Sequence, residues 1–408
     1  MNHYPRLPGS FYDESDILRK VQQAGFARIT SPDAVLACLL CRVSASLDPG
    51  ITIPNSSLNY ISALVGESGT GKSVAFRASQ DLLPDIGTRV DGWVLGSGQG
   101  ITATIVGKAD DDGVCTVVNP RVLFLADEGE QMLKLGKNEG NITMSTIRTA
   151  WSGLALGQTN ADKDRSRNVG SGQYRFALTI GLQPHFASEL LTGVHAGDPQ
   201  RFLFAGVTHP EQPDIIPPFP TPLDSVYLPE GTSTVLKVDP EVMRIIQEHR
   251  VKKQRREVID DPLDSHRMLL TLKTAGLLAF LHGDDITNLW WHMAVQVVEV
   301  SRNVRNHVRD LALVELQSAY GDKANAEVSV RTAIDEATRV TYLDSMIGSM
   351  TNYIRNNGNG KPVNRSQLAN ACAGKHKHIV PPDDAITEAL QRGLLVKVGE
   401  QYALPVRN

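Results

Sequence analysis

Tyr60-Ile-Ser-Ala-Leu-Val-Gly66-Glu-Ser-Gly-Thr-Gly71-Lys72-Ser73-Val-Ala-Phe-Arg-Ala-Ser-Gln-Asp-Leu-Leu83 decides the reading of this chain. An apolar run of strand length enters a glycine-rich turn, and helical spacing leaves it. The turn fits G-x-x-x-x-G-K-[ST] with no mismatch. In that setting the backbone N–H groups of Gly66, Glu67, Ser68, Gly69, Thr70 and Gly71 curl around phosphates, and the helix N-terminus adds its positive dipole end. Lys72 reaches the β and γ phosphates, and Ser73 ligates Mg²⁺. The competing reading is a glycine-rich turn that matches by chance. The strand before it and the helix after it argue against chance.

A magnesium–nucleotide site also needs a carboxylate at the end of a neighbouring strand. Arg121-Val-Leu-Phe-Leu-Ala-Asp127-Glu128 supplies one about 50 residues on. Asp127 is expected to hold the metal, through water or Ser73, and Glu128 to orient and activate the attacking water. Solvated acids at a strand end are the alternative. A third apolar run, 174–182, ends in Gln183-Pro184. An amide there suits a reader of the γ-phosphate; Thr179 takes that role if the strand ends earlier, and a simple loop-capping amide is the competing reading.

Working outward, the 408 residues suffice for two to four domains. Hydrophobic residues at 41% and charged residues at 21% exclude a disordered or fibrous chain. A net charge of −4 excludes a wholly basic nucleic-acid coat but leaves room for a local basic patch. The four cysteines are too few for a disulfide-stapled scaffold. The opening residues lack a secretory pattern, and no run approaches the ~18 apolar residues that span a membrane. The expected location is the cytoplasm, with no membrane partner.

Apolar runs at 60–66, 92–96, 121–127, 174–182 and 201–207 alternate with helical stretches. That texture predicts an α/β fold whose parallel sheet is covered on both faces. Five segments follow: a helical region (1–50), a nucleotide-binding core (51–210), a proline-rich linker (211–238), a helical domain (239–335) and a small C-terminal domain (341–408). The linker assignment rests on six prolines between His209 and Pro222.

GESGTGKS, VLFLADEGEQML, TAWSG, GLQP and GDPQRFLF occur in this order. Together they resemble the primase-associated P-loop ATPase and helicase-like proteins of phages, plasmids and mobile elements, over roughly residues 50–330. The resemblance implies a RecA/AAA+-like core and an oligomeric ATPase acting on DNA during replication, with ATP and Mg²⁺ as its ligands. A separate primase-polymerase would supply any priming, because 50 residues before the core are too few to hold one. Gln200-Arg201-Phe202, entering an apolar run, resembles the Arg-Phe elements that supply arginine fingers in ring-forming ATPases. Arg201 is thus expected to stabilise charge on the γ-phosphoryl group, in trans; the alternative is an arginine bracing the sheet by pairing with Asp198.

The polar stretch 157–173 carries Lys163, Arg165 and Arg167, expected to grip single-stranded DNA phosphates in a ring pore. A solvated hairpin is the competing reading. Lys252, Lys253, Arg255 and Arg256 form a second cluster of the solvated kind. The C-terminal segment resembles a winged helix, with Asn364 as a helix cap, a wing around Gly399-Glu400, and Arg365, Lys375 and Lys377 as phosphate contacts. Such modules equally often bind protein. Cys38-Leu-Leu-Cys41 is read as buried thiols rather than zinc ligands, and Trp290-Trp291 as core. The expected whole is an ATP-driven DNA motor, a hexameric replicative helicase. Its competitors are a helicase loader or initiator switch, and a regulatory or defence ATPase whose last domain binds protein.

Overall fold

The computed structural model describes residues 3–110, 114–136, 142–158, 166–192, 197–224, 231–320, 330–356, 361–372, 377 and 380–405. They form two compact units, Met1–Ala312 and Leu313–Asn408.

The first unit is built on a five-stranded, all-parallel sheet. Its strands are β1 (Tyr60–Val65), β2 (Asp91–Val94), β3 (Arg121–Ala126), β4 (Arg175–Leu182) and β5 (Leu203–Gly206). Their order across the sheet is β5-β1-β4-β3-β2. All five expected runs are strands. β1 and β4 are buried at every residue, as helices on both faces require. Because β4 lies between β1 and β3, the ends of these three strands converge at the place where the strand order turns back. Crevices of that kind take ligands in open α/β sheets.

Helix α1 (Pro32–Ser46) has Pro at its first turn and is apolar nearly all round, so it is buried along its whole length. Ser31 occupies the cap position in extended backbone, but its side chain makes no capping bond. Instead its N–H donates to the Val207 carbonyl, tying the helix start to the end of β5. The one cation in α1, Arg42, reaches Asp91 Oδ1 (2.6 Å) and the Leu83 carbonyl, so its charge is paired inside the core. Cys38 and Cys41 are buried free thiols; burial pushes both upward, and Cys41 donates to Ser62 Oγ at 3.3 Å.

Residues 1–50 and 239–312 belong to the same core as the sheet. The proline-rich stretch is no free linker in its described part. Gln23 donates to the Pro218 carbonyl, Gln212 to that of Phe26, and the Leu223 N–H to that of Leu82. Proline removes donors, but its carbonyls and the neighbouring apolar rings still dock: Arg28 lies over the Phe219 ring at 4.8 Å. Trp290 and Trp291 are buried in this core.

The second unit has its own core around Met346, Met350, Ile354, Leu368 and Ile386. Helix α2 (Arg365–Ala371) opens with a full capping box between Asn364 and Gln367. Helix α3 (Pro382–Gln391) follows, then a hairpin of Val396–Val398 with Gln401–Ala403, to which Val363 adds a bridge at Tyr402.

Candidate functional site

The Gly66–Ser73 loop leaves the C-terminal end of β1. Gly69 (φ 77°) and Gly71 (φ 105°) take left-handed backbone there, which a side chain resists. A Cβ on Gly66 would stand 2.2 Å from Val207, so only glycine fits. Its N–H donates to the Leu182 carbonyl at 3.1 Å, fixing the loop to the end of β4. The helix Lys72–Leu82 starts at the loop, with Lys72 and Ser73 in its first turn.

Lys72 folds back over the loop. Its Nζ donates to the carbonyls of Gly66 (2.7 Å) and Glu67 (2.9 Å). Half-burial lowers its pKa, opposed by the charges of Asp127, Glu130 and Glu67. Asp127 and Glu128 directly follow β3 and are exposed. The approach is closest at Gly181 in β4. A Cβ there would lie 2.5 Å from the Asp127 carbonyl oxygen and 3.4 Å from Cδ of Lys72. The absent side chain is what lets the lysine stem and the Asp127 backbone meet across β4. Gly129 has the same function one turn on, against Leu182 and the Gly181 carbonyl.

Gln183 emerges from the C-terminal end of β4, next to the residue that accepts from Gly66. Thr179 lies in mid-strand, buried, with its hydroxyl 3.1 Å from Ser62 Oγ, and does not face the loop end. The structure thus gathers Lys72, Ser73, Asp127, Glu128 and Gln183 at one end of the sheet.

It does not gather Arg201. Arg201 precedes β5, whose Leu203 is level with Ser62 of β1. Arg201 therefore sits at the N-terminal end of the sheet, about 20 Å from the loop at ~3.3 Å per residue. No arginine side chain spans that, so a role at the loop of the same chain is excluded. Nor does it pair with Asp198, whose Oδ1 accepts from Arg148 at 2.6 Å. Arg201 donates from Nη1 to the Gly197 carbonyl and lies over the Trp151 indole at 5.4 Å.

Trp151 leads to a group of residues that the motifs alone do not assign. Lys273 is fully buried, 4.0 Å from the Trp151 ring, and donates to the carbonyls of Trp151 (2.6 Å) and Asn59 (2.9 Å). Arg175, also fully buried, donates to Asn59 Oδ1 and to the carbonyls of Asp48 and Ile51. Burial drives the pKa of Lys273 well down, and Arg175 and Arg201 add to it. His266, edge-on to Trp151, is lowered to about 4 by burial, then by the charges of Arg201, Lys253 and Lys273. The visible signal was a lone cation inside an apolar helical run: Lys273 within MLLTLKTAGLLAFL.

Of the expected DNA contacts, Lys163, Arg165 and Lys375 lie outside the described residues. Arg167 is on a short strand paired with Leu156–Gln158 and donates to the Ser166 carbonyl. Lys377 is partly exposed. Arg365 is exposed, with its guanidinium engaged on both Asp383 oxygens. The outer face of α3 carries Asp383, Asp384, Thr387 and Glu388. Arg339 is bonded to Asp384, and Arg392 to Asp344 and Glu388. A groove beside α2 is lined by Asn352, Asn356, Gln367 and Asn370, and among the described residues its lining carries no charge. Among the described residues no helix is long and apolar enough to cross a membrane. No protein-family model matches the chain, and no curated protein matches it.

Proposed function

We propose that the chain is a magnesium-dependent ATP hydrolase that works as a ring homo-oligomer, a hexamer, and moves along single-stranded DNA as a replicative helicase. The observation that carries the nucleotide site is the meeting of Lys72 and Asp127 at Gly181, beside a glycine loop that opens a helix. The donor set suits the ion: a hydroxyl in the first helical turn and a carboxylate across β4 are hard oxygen ligands. Among the described residues no group of three or more His, Cys, Asp or Glu is placed to hold a metal unaided.

In this reading Lys72 leaves the Gly66 and Glu67 carbonyls for the phosphates, and Ser73 and Asp127 hold Mg²⁺, which neutralises charge on the phosphate oxygens. Glu128 accepts the proton of the attacking water, and Gln183 orients that water. Arg201 supplies its cation to the adjacent subunit, since it does not reach its own loop. A separate primase-polymerase chain remains the proposed priming partner. Strand displacement on forked DNA tests the reading: unwinding that stops in Lys72→Ala supports it. ATP hydrolysis stimulated by DNA without unwinding would make the chain a loader or initiator switch.

A second reading has one observation of its own. Taken as a winged helix, the second unit would offer α3 to a groove, but the outer face of α3 is acidic and its neighbouring arginines are paired. That charge pattern favours a protein partner for this unit over phosphate contact.

A further inference from the structure

TAWSG (149–153) has no part in the nucleotide loop, yet its Trp151 is among the largest fully buried side chains. Its indole Nε1 is buried with no hydrogen-bond partner. A buried tryptophan usually satisfies that donor, so here the site uses the ring and leaves the N–H idle. The ring lies against two basic side chains, with Lys273 Nζ at 4.0 Å and the Arg201 guanidinium at 5.4 Å, and His266 stands edge-on to it. Lys273 anchors the ring's backbone through the Trp151 carbonyl. Asn59 holds the preceding residue, donating to the Ala150 carbonyl at 2.6 Å. Arg148, one turn back on the same helix (Thr143–Ser152), takes the Asp198 carboxylate that Arg201 would otherwise find.

These contacts have one consequence in common. A carboxylate partner would fix Arg201 but cancel its charge and compete with an incoming phosphate. An aromatic face orients the planar guanidinium without cancelling its charge, and here the Gly197 carbonyl takes one Nη1 hydrogen. We propose that Trp151 is a positioning residue that holds Arg201, with no carboxylate bonded to it, for the γ-phosphoryl group of ATP bound to an adjacent subunit. The proposal rests on the reading of Arg201 given above.

The test compares two Trp151 replacements. Phenylalanine keeps an aromatic face, and leucine removes it; neither costs a hydrogen bond, because Nε1 makes none. ATP hydrolysis, nucleotide affinity and thermal unfolding are measured for wild type, W151F, W151L and R201A. W151F should keep kcat within about twofold, and W151L should lose about tenfold in kcat at unchanged KM and nucleotide Kd. Equal losses in W151F and W151L, or a loss that appears in KM, would overturn the proposal. If W151L fails to fold, uniform labelling with a fluorinated tryptophan replaces it, since fluorine weakens the ring's attraction for a cation. Labelling should lower kcat of the wild type and leave that of W151F unchanged; an equal response of both overturns the proposal. R201A at wild-type turnover would instead remove the reading of Arg201 itself, whereas an inactive R201A beside a fully active W151L removes only the role of Trp151.

Discussion

The two ends of the central sheet are built on opposite principles. At the C-terminal end, glycines clear space: Gly66, Gly129 and Gly181 let backbone and the Lys72 stem close in, and the acids Asp127 and Glu128 stay exposed. At the N-terminal end, long cations fill space. Arg121 and Arg175 stand side by side on β3 and β4 and donate to the carbonyls of Ser46, Asp48 and Ile51, where α1 ends. Lys273 does the same for Trp151 and Asn59. One end keeps its acids exposed and its lysine on the carbonyls of its own loop; the other spends its cations on carbonyls of distant segments. Arg201 also gives one donor to a carbonyl, that of Gly197, and its guanidinium lies over the Trp151 ring.

Substitutions of one lysine from each end sharpen this contrast most. Lys72→Ala should reduce ATP hydrolysis by about a thousandfold or more, because the phosphates lose their charged partner. Its unfolding free energy should change by less than about 0.5 kcal/mol, since the side chain is only half-buried. Glu128→Gln should stop turnover but retain ATP, as an amide takes no proton; normal turnover would remove Glu128 from the chemistry. Lys273→Met should do the reverse, costing about 2–3 kcal/mol in denaturant unfolding as two buried carbonyls lose their donor. A stable Lys273→Met protein would show that the cation serves something other than the fold.

The smallest effect is one of pH. His266, with a pKa of about 4 in the fold, binds a proton more readily once unfolded, where the imidazole value is ~6.5. Its neutral form thus contributes stability above pH ~6.5, and that contribution is lost as pH falls from there toward about 4. His266→Gln should flatten the fall of the unfolding midpoint across this window. An unchanged slope would place its proton exchange elsewhere.

The same contrast explains what was legible in the sequence. The glycine end is local: loop, lysine and serine lie within eight residues, and a strand ending in Asp127-Glu128 announces itself, so fold class and strands could be read in order. That Gln183 follows the end of β4 was legible because a strand end is a one-dimensional feature. The cation end joins Asn59, Trp151, Arg175, Arg201 and Lys273 from five distant segments, and no spacing reports that. The prolines of 210–222 suggested a boundary because proline ends elements, but their capacity to dock on the helix Asp16–Ala27 depends on tertiary partners such as Gln23 and Arg28. Arg365 read as a free cation because Asp383, its partner, is 18 residues away.

The central claim is that hydrolysis needs both ends of the sheet, from two copies of the chain. Its most direct measurement mixes two inactive proteins, Arg201→Ala and Glu128→Gln, and follows ATP hydrolysis. Each alone should bind nucleotide and turn over at least about a hundredfold more slowly than wild type. Mixed, they form interfaces that pair the intact Glu128 of one copy with the intact Arg201 of another, so activity should reappear and peak near equal proportions. No recovery on mixing, with subunit exchange demonstrated by labelled copies, would contradict the account.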